Sequence, residues 1–142
     1  MQLKRYTDYA LRVLIYLGSH PGQVVSVSRI AQAYGISRNH LLKVVNGLTE
    51  QRLIDTFRGK HGGLQLATAP EDINVGTVVT HMEGDSPLID CINPPCPILP
   101  ACQLNHALRA AQQAFIDHLS GYTLADLLHG RQQQLVRLLT AD

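Results

Sequence analysis

Apolar residues in the first twenty positions recur at intervals of three and four, which is the spacing of one helix face. The face consists of Leu3, Tyr6, Ala10, Val13, Leu14 and Leu17. Gly18 and Pro21 follow it, and both residue types are common where a helix ends. The pattern therefore predicts an amphipathic first helix with one side against a core.

Two shorter helices are predicted between residues 26 and 50. Ser26 or Ser28 can cap the first of them, and Gly35 permits a tight turn at its end. Ser37 can cap the second. Its inward positions are predicted to be Leu41, Leu42, Val45 and Leu48. Two short helices joined by a turn that contains glycine predict a helix-turn-helix.

A β-hairpin is predicted directly after the two short helices. Residues 54–58 and 64–67 have strand-like patterns, and the glycine-rich stretch 59–63 forms the turn. Its tip carries Arg58, Lys60 and His61. A hairpin at this place is a wing, and a basic wing can contact the phosphates or the minor groove of DNA.

The second half of the chain is predicted to be helical around one irregular loop. A helix opened by Asp72 or Asn74 ends at Gly84, a longer helix runs from Leu104 to Gly121, and Thr123 caps a last short helix. The apolar face of the long helix consists of Leu104, Leu108, Ala111, Phe115 and Leu119. Interspersed alanines keep this helix slim enough for close approach to another helix.

These elements define the predicted fold class: mainly α with a small β-hairpin, a winged helix-turn-helix followed by a long C-terminal dimerisation helix. The predicted domain boundaries are 1–83 for the DNA-binding domain, 84–103 for a cysteine loop, and 104–142 for the dimerisation helix with a helical tail.

Charge divides the chain into two unlike halves, although its net charge is only +1. Residues 1–70 contain nine Lys and Arg and three acidic residues, a net charge of +6, whereas residues 71–142 contain three and eight, a net charge of −5. A basic half suits a polyanion. The predicted DNA contacts are Ser26, Ser28, Ser37, Arg38, Asn39, His40, Lys43, Arg58, Lys60 and His61. A dimer of such domains predicts a palindromic double-stranded operator.

All three cysteines of the chain lie in the stretch DCINPPCPILPAC, residues 90–102. The spacing Cys91-x4-Cys96-x5-Cys102 lacks the close cysteine pair of a structural zinc site. The cysteine count is odd, which argues against a disulfide framework. Prolines exclude regular structure from the loop, so it could wrap an iron–sulfur cluster if a fourth ligand came from elsewhere. The alternatives are cysteines that act directly as thiols or that hold another metal.

The N-terminal stretch has an early positive pair and an apolar run, but Asp8 and Arg12 interrupt that run. We therefore expect a mature helix rather than a signal peptide, and a cytoplasmic location. The sequence shows no phosphate-binding loop, acid–base pair or metal-binding helix motif, so it does not favour an enzyme.

The chain resembles the IscR/NsrR family of bacterial iron–sulfur repressors over essentially its whole length. The segments that carry the resemblance are RYTDYALRVLIYL, YGISRNHLLKVVNGL, FRGKHGGLQLA, the cysteine loop and GYTLADLL. The cysteine spacing is closest to the nitric-oxide-sensing branch, NsrR. The biogenesis branch, IscR, has a longer first spacing and a histidine three residues after the last cysteine, where this chain has Asn105 and places His106 one position further on.

The resemblance implies a homodimeric repressor with one [2Fe–2S] or [4Fe–4S] cluster per subunit, held by Cys91, Cys96 and Cys102. It also implies that Asp8 of the partner subunit supplies the remaining ligand. From spacing alone, Asp8 is equally an ion-pair partner for Arg12 or Lys4 on its own helix. Nitric oxide would nitrosylate the cluster and release the operator. Two alternatives stay open: a cluster-sensing regulator of iron–sulfur biogenesis, and a cluster-free regulator that responds through thiols or a metal.

Overall fold

Across residues 1–140, which the computed structural model describes, the chain forms seven α-helices and one two-stranded antiparallel sheet. The helices are α1 (Arg5–Ser19), α2 (Val27–Tyr34), α3 (Arg38–Glu50), α4 (Val75–Glu83), α5 (Gln103–Leu119), α6 (Leu124–Leu128) and α7 (Gln132–Thr140), and the strands are β1 (Ile54–Phe57) and β2 (Gly63–Leu66). Single 3-10 turns cover Pro70–Asp72 and Leu99–Ala101. The predicted fold class is confirmed.

The helix-turn-helix consists of α2 and α3. Ser26 is the N-cap of α2, since its side-chain oxygen accepts a hydrogen bond from the backbone N–H of Arg29 (3.2 Å). Ser28 lies inside the helix and is not the cap. Gly35 ends α2 in the left-handed conformation (φ 63°), which residues with a Cβ rarely adopt. Ser37 occupies the N-cap position of α3, but among the hydrogen bonds of residues 1–140 its side chain makes no capping bond, so that part of the prediction is wrong.

The buried face of α3 differs slightly from the predicted one. Leu41, Val45 and Leu48 are buried as predicted, but Leu42 is only half-buried and Val44 is buried in its place. At about 100° per residue, Val44 lies on the same side as Leu41 and Leu48, whereas Leu42 lies at the edge of that face. The recognition helix therefore turns a contiguous apolar stripe to the core.

The wing is fixed to the start of α2. Ile54 pairs with Leu66 and Phe57 with Gly63 in the hairpin. Val25 adds a backbone bridge to Leu64, with N–H···O distances of 2.8 and 2.7 Å in the two directions. A Cβ on Gly63 would lie 2.4 Å from the Val25 carbonyl oxygen, so this approach requires glycine. The wing and the helix-turn-helix therefore form one unit.

Helix α1 lies at the centre of the core and packs against α3, α4, α6 and α7. Leu124 and Leu128 of α6 are buried against it, and a Cβ on Gly18 would lie 2.6 Å from the Leu128 side chain. Helix α7, which the sequence predicted only as part of a helical tail, also packs on α1. The C-terminal segment thus completes the core that the first domain begins.

This packing makes Leu124→Ala an informative stability test. The side chain is 2% exposed, so its truncation should lower the free energy of unfolding by about 2–5 kcal/mol. Urea unfolding followed by circular dichroism measures the loss. Leu138→Ala is the matched control, because Leu138 is 67% exposed in the chain and its truncation should change the unfolding free energy little. Equal losses in both variants would contradict the central position of α6.

Polar caps set the boundaries of the later helices. The Asn74 side chain accepts the Thr77 N–H (3.0 Å) and begins α4, while Thr123 and Asp126 form a reciprocal capping box at the start of α6. Asn74, rather than Asp72, is therefore the cap of α4. Helix α5 ends at Leu119, two residues before the glycine that was predicted to stop it.

The division of the chain after residues 83 and 103 remains a prediction. Residues 141 and 142, at the end of the third predicted segment, lie outside the described residues. None of the helices within residues 1–140 is both long and apolar enough to span a membrane.

Candidate functional site

The polar side of α3 carries the side chains that the sequence predicted to contact DNA. Arg38, Asn39, His40 and Lys43 are all exposed, while the opposite side of the helix is buried. Ser37 directly precedes them and is exposed as well. A helix held by its apolar face, with arginine, asparagine and lysine projecting outward near its N-terminus, has the side-chain types that read base edges and phosphates.

The wing supplies a second basic surface. Arg58, Lys60 and His61 are exposed in the turn between β1 and β2, where Gly59 has a positive φ of 100°. Ser26 and Ser28 are exposed at the start of α2, although the Ser26 hydroxyl is already engaged as a cap. Because Val25 ties the wing to α2, both basic surfaces are carried by the same unit.

These basic side chains are not neutralised by acidic neighbours. Within residues 1–140, the structure shows one ion pair, between Arg12 and Asp8 of α1. The basic side chains of α3 and of the wing therefore form no ion pair within residues 1–140. Their positive potential remains available to a polyanion, which strengthens the prediction from the charge of the N-terminal half.

The cysteine loop joins α4 to α5 as a series of turns. The Cys96 N–H donates to the Cys91 carbonyl (3.0 Å), the Leu99 N–H to the Cys96 carbonyl (3.2 Å), and the Cys102 N–H to the Leu99 carbonyl (3.3 Å). Each cysteine thus begins or ends a turn. Before the first of them, Asp90 accepts the N–H groups of Ile92 and of the next residue, and these two bonds lower the pKa of the Asp90 carboxyl.

Asn105 connects the two ends of this loop. Its backbone N–H donates to the Sγ of Cys102 (3.4 Å), which is the N-cap of α5, and its side-chain amide donates to the Sγ of Cys91 (3.5 Å). In the sequence alone, Asn105 stands out only because it departs from a family pattern. The signal that could have identified it is its position three residues after Cys102, where a capping sulfur meets a helix N–H.

The donor types of this loop fit an iron–sulfur cluster, because Cys91, Cys96 and Cys102 are free, half-buried thiols on one irregular segment. Their arrangement does not form a compact site for a single ion. Among residues 1–140, no three His, Cys, Asp or Glu side chains are gathered closely enough to hold one metal ion. Cys91 and Cys102 both contact Asn105, and Cys96 is not part of that contact.

Asp8 pairs with Arg12 rather than with Lys4. The Arg12 Nε donates to the Asp8 carboxylate at 2.8 Å, and this bond is the main cause of the raised pKa of Arg12. Both side chains are about two-fifths exposed, at 41% for Asp8 and 43% for Arg12. The i,i+4 interpretation of Asp8 is thus confirmed within the subunit. A role as ligand for the partner's cluster stays a prediction.

Arg12 also connects the first helix to the helix-turn-helix. Its guanidinium lies 5.7 Å from the centre of the Tyr34 ring, and the Tyr34 hydroxyl donates to the Arg12 carbonyl (3.1 Å). Burial raises the pKa of Tyr34 to about 12. Asp8, Arg12 and Tyr34 therefore form a continuous contact from α1 to the last residue of α2.

The first turn of α1 is tied to the start of the cysteine loop. The Glu83 carboxylate accepts the Lys4 backbone N–H (2.8 Å) and the hydroxyl of the buried Thr7. The Lys4 ammonium donates to the Glu83 carbonyl and to the Ser86 hydroxyl, the latter at 3.2 Å. A carboxylate from α4 thus accepts a hydrogen bond at the N-terminus of α1, where the helix dipole favours negative charge.

Helix α5 is unusually exposed. None of its 17 residues, all of which the structure describes, is buried. Of the predicted dimer face, Leu104 is 62% and Phe115 37% exposed, Ala111 is exposed, and Leu108 and Leu119 are half-buried against the body of the chain. An apolar helix face of this length that its own subunit leaves uncovered supports the predicted dimer.

A winged helix-turn-helix with exposed basic side chains defines the class of DNA-binding transcription regulators. Residues 3–130 match the model of the Rrf2 family, described as "Iron-dependent Transcriptional regulator". The chain belongs to this family, whose members are DNA-binding regulators, not enzymes.

Solved structures of similar fold agree with this assignment. The oxidized form of Staphylococcus aureus CymR is 28% identical, with a TM-score of 0.71 over 91% of this chain and 97% of that one. T. potens IscR is 24% identical, with a TM-score of 0.72 over 94% and 90%. CymR of B. subtilis, described as the global cysteine regulator, is 23% identical, with a TM-score of 0.66 over 89% and 95%. The likeness to the last two establishes the fold alone.

Proposed function

We propose that this protein is a homodimeric cytoplasmic repressor that binds a palindromic operator and senses nitric oxide through an iron–sulfur cluster on the cysteine loop. The observation that carries the proposal is the combination of two features in one chain. Uncompensated basic side chains project from α3 and the wing, and three free thiols lie on the loop that leads into the exposed α5.

In the proposed DNA complex, α3 enters the major groove and the wing follows the phosphates. Arg38, Asn39 and His40 lie on the first turn of α3 and are candidates for base edges. Lys43, one turn further on, and the wing residues Arg58 and Lys60 are candidates for phosphates. Two subunits related by a two-fold axis would place their recognition helices one DNA turn apart.

Lys60→Ala tests the wing. Loss of one phosphate contact should weaken binding by a similar factor on operator and on unrelated DNA, and should reduce the slope of log K against log salt by about 0.9 per subunit. Fluorescence anisotropy at several salt concentrations measures both. Arg137→Ala on α7, which removes an exposed positive charge that is not among the predicted DNA contacts, is the control and should leave the slope unchanged. A selective loss on the operator with an unchanged slope would assign Lys60 to base readout instead.

The proposed ligands of the cluster are Cys91, Cys96 and Cys102, with Asp8 of the partner subunit as the fourth. An iron–sulfur cluster, when bound, supplies iron that reacts with nitric oxide. The chain supplies one contact between the start of the loop and α1, where the Lys4 ammonium donates to the Glu83 carbonyl and to the Ser86 hydroxyl. Within the DNA-binding unit, Asp8 reaches Tyr34 through Arg12. An Asp8 side chain drawn toward the partner would leave Arg12 without its ion pair, and this change would reach α2 directly.

The first test is a visible absorption spectrum with iron and sulfide analysis on protein purified without oxygen, followed by addition of nitric oxide and an operator-binding assay. Brown protein with about one cluster per chain, bleached by nitric oxide with loss of operator affinity, supports the proposal. The ratio of iron to sulfide then decides the cluster type. If the protein holds a cluster and its operator affinity does not change with nitric oxide but changes with cluster occupancy, the biogenesis regulator is favoured.

A cluster-free thiol regulator is the second candidate, because all three cysteines are free and the S. aureus CymR structure is of an oxidized form. This candidate predicts colourless protein even after reconstitution with iron and sulfide. It also predicts that operator affinity changes with diamide and returns with dithiothreitol. If operator affinity changes with neither diamide nor dithiothreitol, the thiol regulator is excluded.

A further inference from the structure

We infer that Asn105 is a positioning residue of the cysteine loop: its amide holds Cys91 beside Cys102 and donates an N–H to a sulfur that ligates the cluster. The inference rests on the proposed function for its second half. Its first half rests on two contacts made by one residue, from the backbone N–H to the Cys102 Sγ (3.4 Å) and from the side-chain amide to the Cys91 Sγ (3.5 Å).

The position of Asn105 makes these contacts stable. It lies in the first turn of α5 and is half-buried, so its backbone direction is set by the helix and by the Cys102 cap. Cys91 is fourteen residues before Asn105, at the far end of a loop without regular strands or helices beyond one 3-10 turn. The Asn105 amide therefore joins the first thiol of the loop to the last one directly, in addition to the backbone turns between them.

Donors to sulfur are scarce in this loop, which gives the amide its importance. Positions 94, 95, 97 and 100 are prolines and have no N–H. The N–H groups of Cys96 and Cys102 are used by carbonyl groups within the loop. The Asn105 amide is neutral and cannot lose its proton near neutral pH, so it serves as a donor in every redox state.

Hydrogen bonds to the sulfurs raise the reduction potential of an iron–sulfur cluster, because they stabilise the more negative reduced state. Removal of the Asn105 amide should therefore make the cluster harder to reduce. Asn105→Leu removes the donor and keeps the size of the side chain. Asn105→Asp keeps the shape and adds a negative charge, so its potential should be lower still. The expected order is wild type, then Asn105→Leu, then Asn105→Asp.

The experiment is a potentiometric titration of the cluster-containing dimer, read by visible absorption. In Asn105→Leu, the ratio of oxidised to reduced cluster at a fixed potential should rise by about tenfold, equivalent to about 59 mV for a one-electron couple. Gln103→Ala is the control, because Gln103 is exposed on the same helical turn and within residues 1–140 its side chain makes no hydrogen bond. Its potential should match that of the wild type. Equal potentials in all four proteins would overturn the donor role.

A second measurement tests the positioning role without a cluster. Diamide takes two electrons and two protons from a pair of thiols in the cluster-free dimer, and peptide mapping identifies the disulfide. The wild type should form mainly Cys91–Cys102, and Asn105→Leu should lower the share of this pair severalfold. An unchanged share would overturn the positioning role. If the wild-type protein never holds iron, the proposed function fails, while this measurement still decides the position of Cys91.

Discussion

Ala111→Glu is expected to convert the dimer to a monomer and to abolish specific operator binding. Ala111 lies in the middle of the apolar face of α5, is exposed in the subunit, and can accept a longer side chain without disturbing the core. In a dimer that buries this face, two carboxylates would enter an apolar contact without partners. The effective penalty for an unpaired buried charge is several kcal/mol, and a symmetric dimer incurs it twice.

Loss of the dimer removes one of the two recognition helices from the operator. Affinity should then fall toward non-specific binding, on the order of 10³-fold or more at physiological salt. Sedimentation equilibrium measures the association state, and anisotropy measures operator affinity in the same samples. The fold of the subunit should persist, because Ala111 is exposed and its replacement does not disturb the core.

Gln133→Glu is the control for added charge. Gln133 is exposed on α7, so the same negative charge placed there should leave both association and operator affinity nearly unchanged. A monomeric wild type would refute the dimer directly. A dimeric Ala111→Glu protein would show that another surface joins the subunits.

Cys96→Ser is expected to reduce iron and sulfide to background and to place operator affinity at the level of the cluster-free protein. Oxygen replaces sulfur at nearly constant size, so the turn between Cys91 and Cys96 should persist. Cys96 makes no contact with Asn105, unlike the other two cysteines, so the variant removes a proposed ligand and leaves that contact in place.

The size of the DNA effect is limited by the coupling between the two sites. Typical coupling free energies of about 1–3 kcal/mol correspond to a 5- to 150-fold change in affinity. Pro97→Ala, at the next position, retains all three thiols and should keep both iron and affinity. Iron retained by Cys96→Ser would exclude this residue as a ligand. Loss of iron with unchanged affinity would separate the cluster from DNA binding.

Local patterns were sufficient for most of the elements and for the exposure of the residues predicted to contact DNA. Thr123 caps α6 as predicted, and Ser26 and Asn74 are each one of the two caps that the sequence allowed, because a cap depends mainly on the next three residues. The outward direction of Arg38 and Lys43 follows from the apolar stripe on the other side of the same helix.

Contacts between distant parts of the chain were not predictable in this way. The approach of Glu83 to Lys4 spans 79 residues, and neither residue carries a sequence signal for it. The amide of Asn105 meets Cys91 only because the loop returns to the helix that follows it. Val44 is buried and Leu42 is not, because which residue at the edge of a helix face is buried depends on the elements that pack against that edge.

The central position of α1 has a consequence for the order of events during synthesis. Ala10 is fully buried, and its helix is covered in part by α6, whose Leu128 is made 118 residues later. At about 5–20 residues per second, the ribosome needs on the order of 6 to 24 s to bridge that interval. During this time the part of the α1 face that α6 covers stays exposed on the nascent chain, while α3, made earlier, can already cover another part. A chain arrested after the wing would therefore present apolar surface to chaperones.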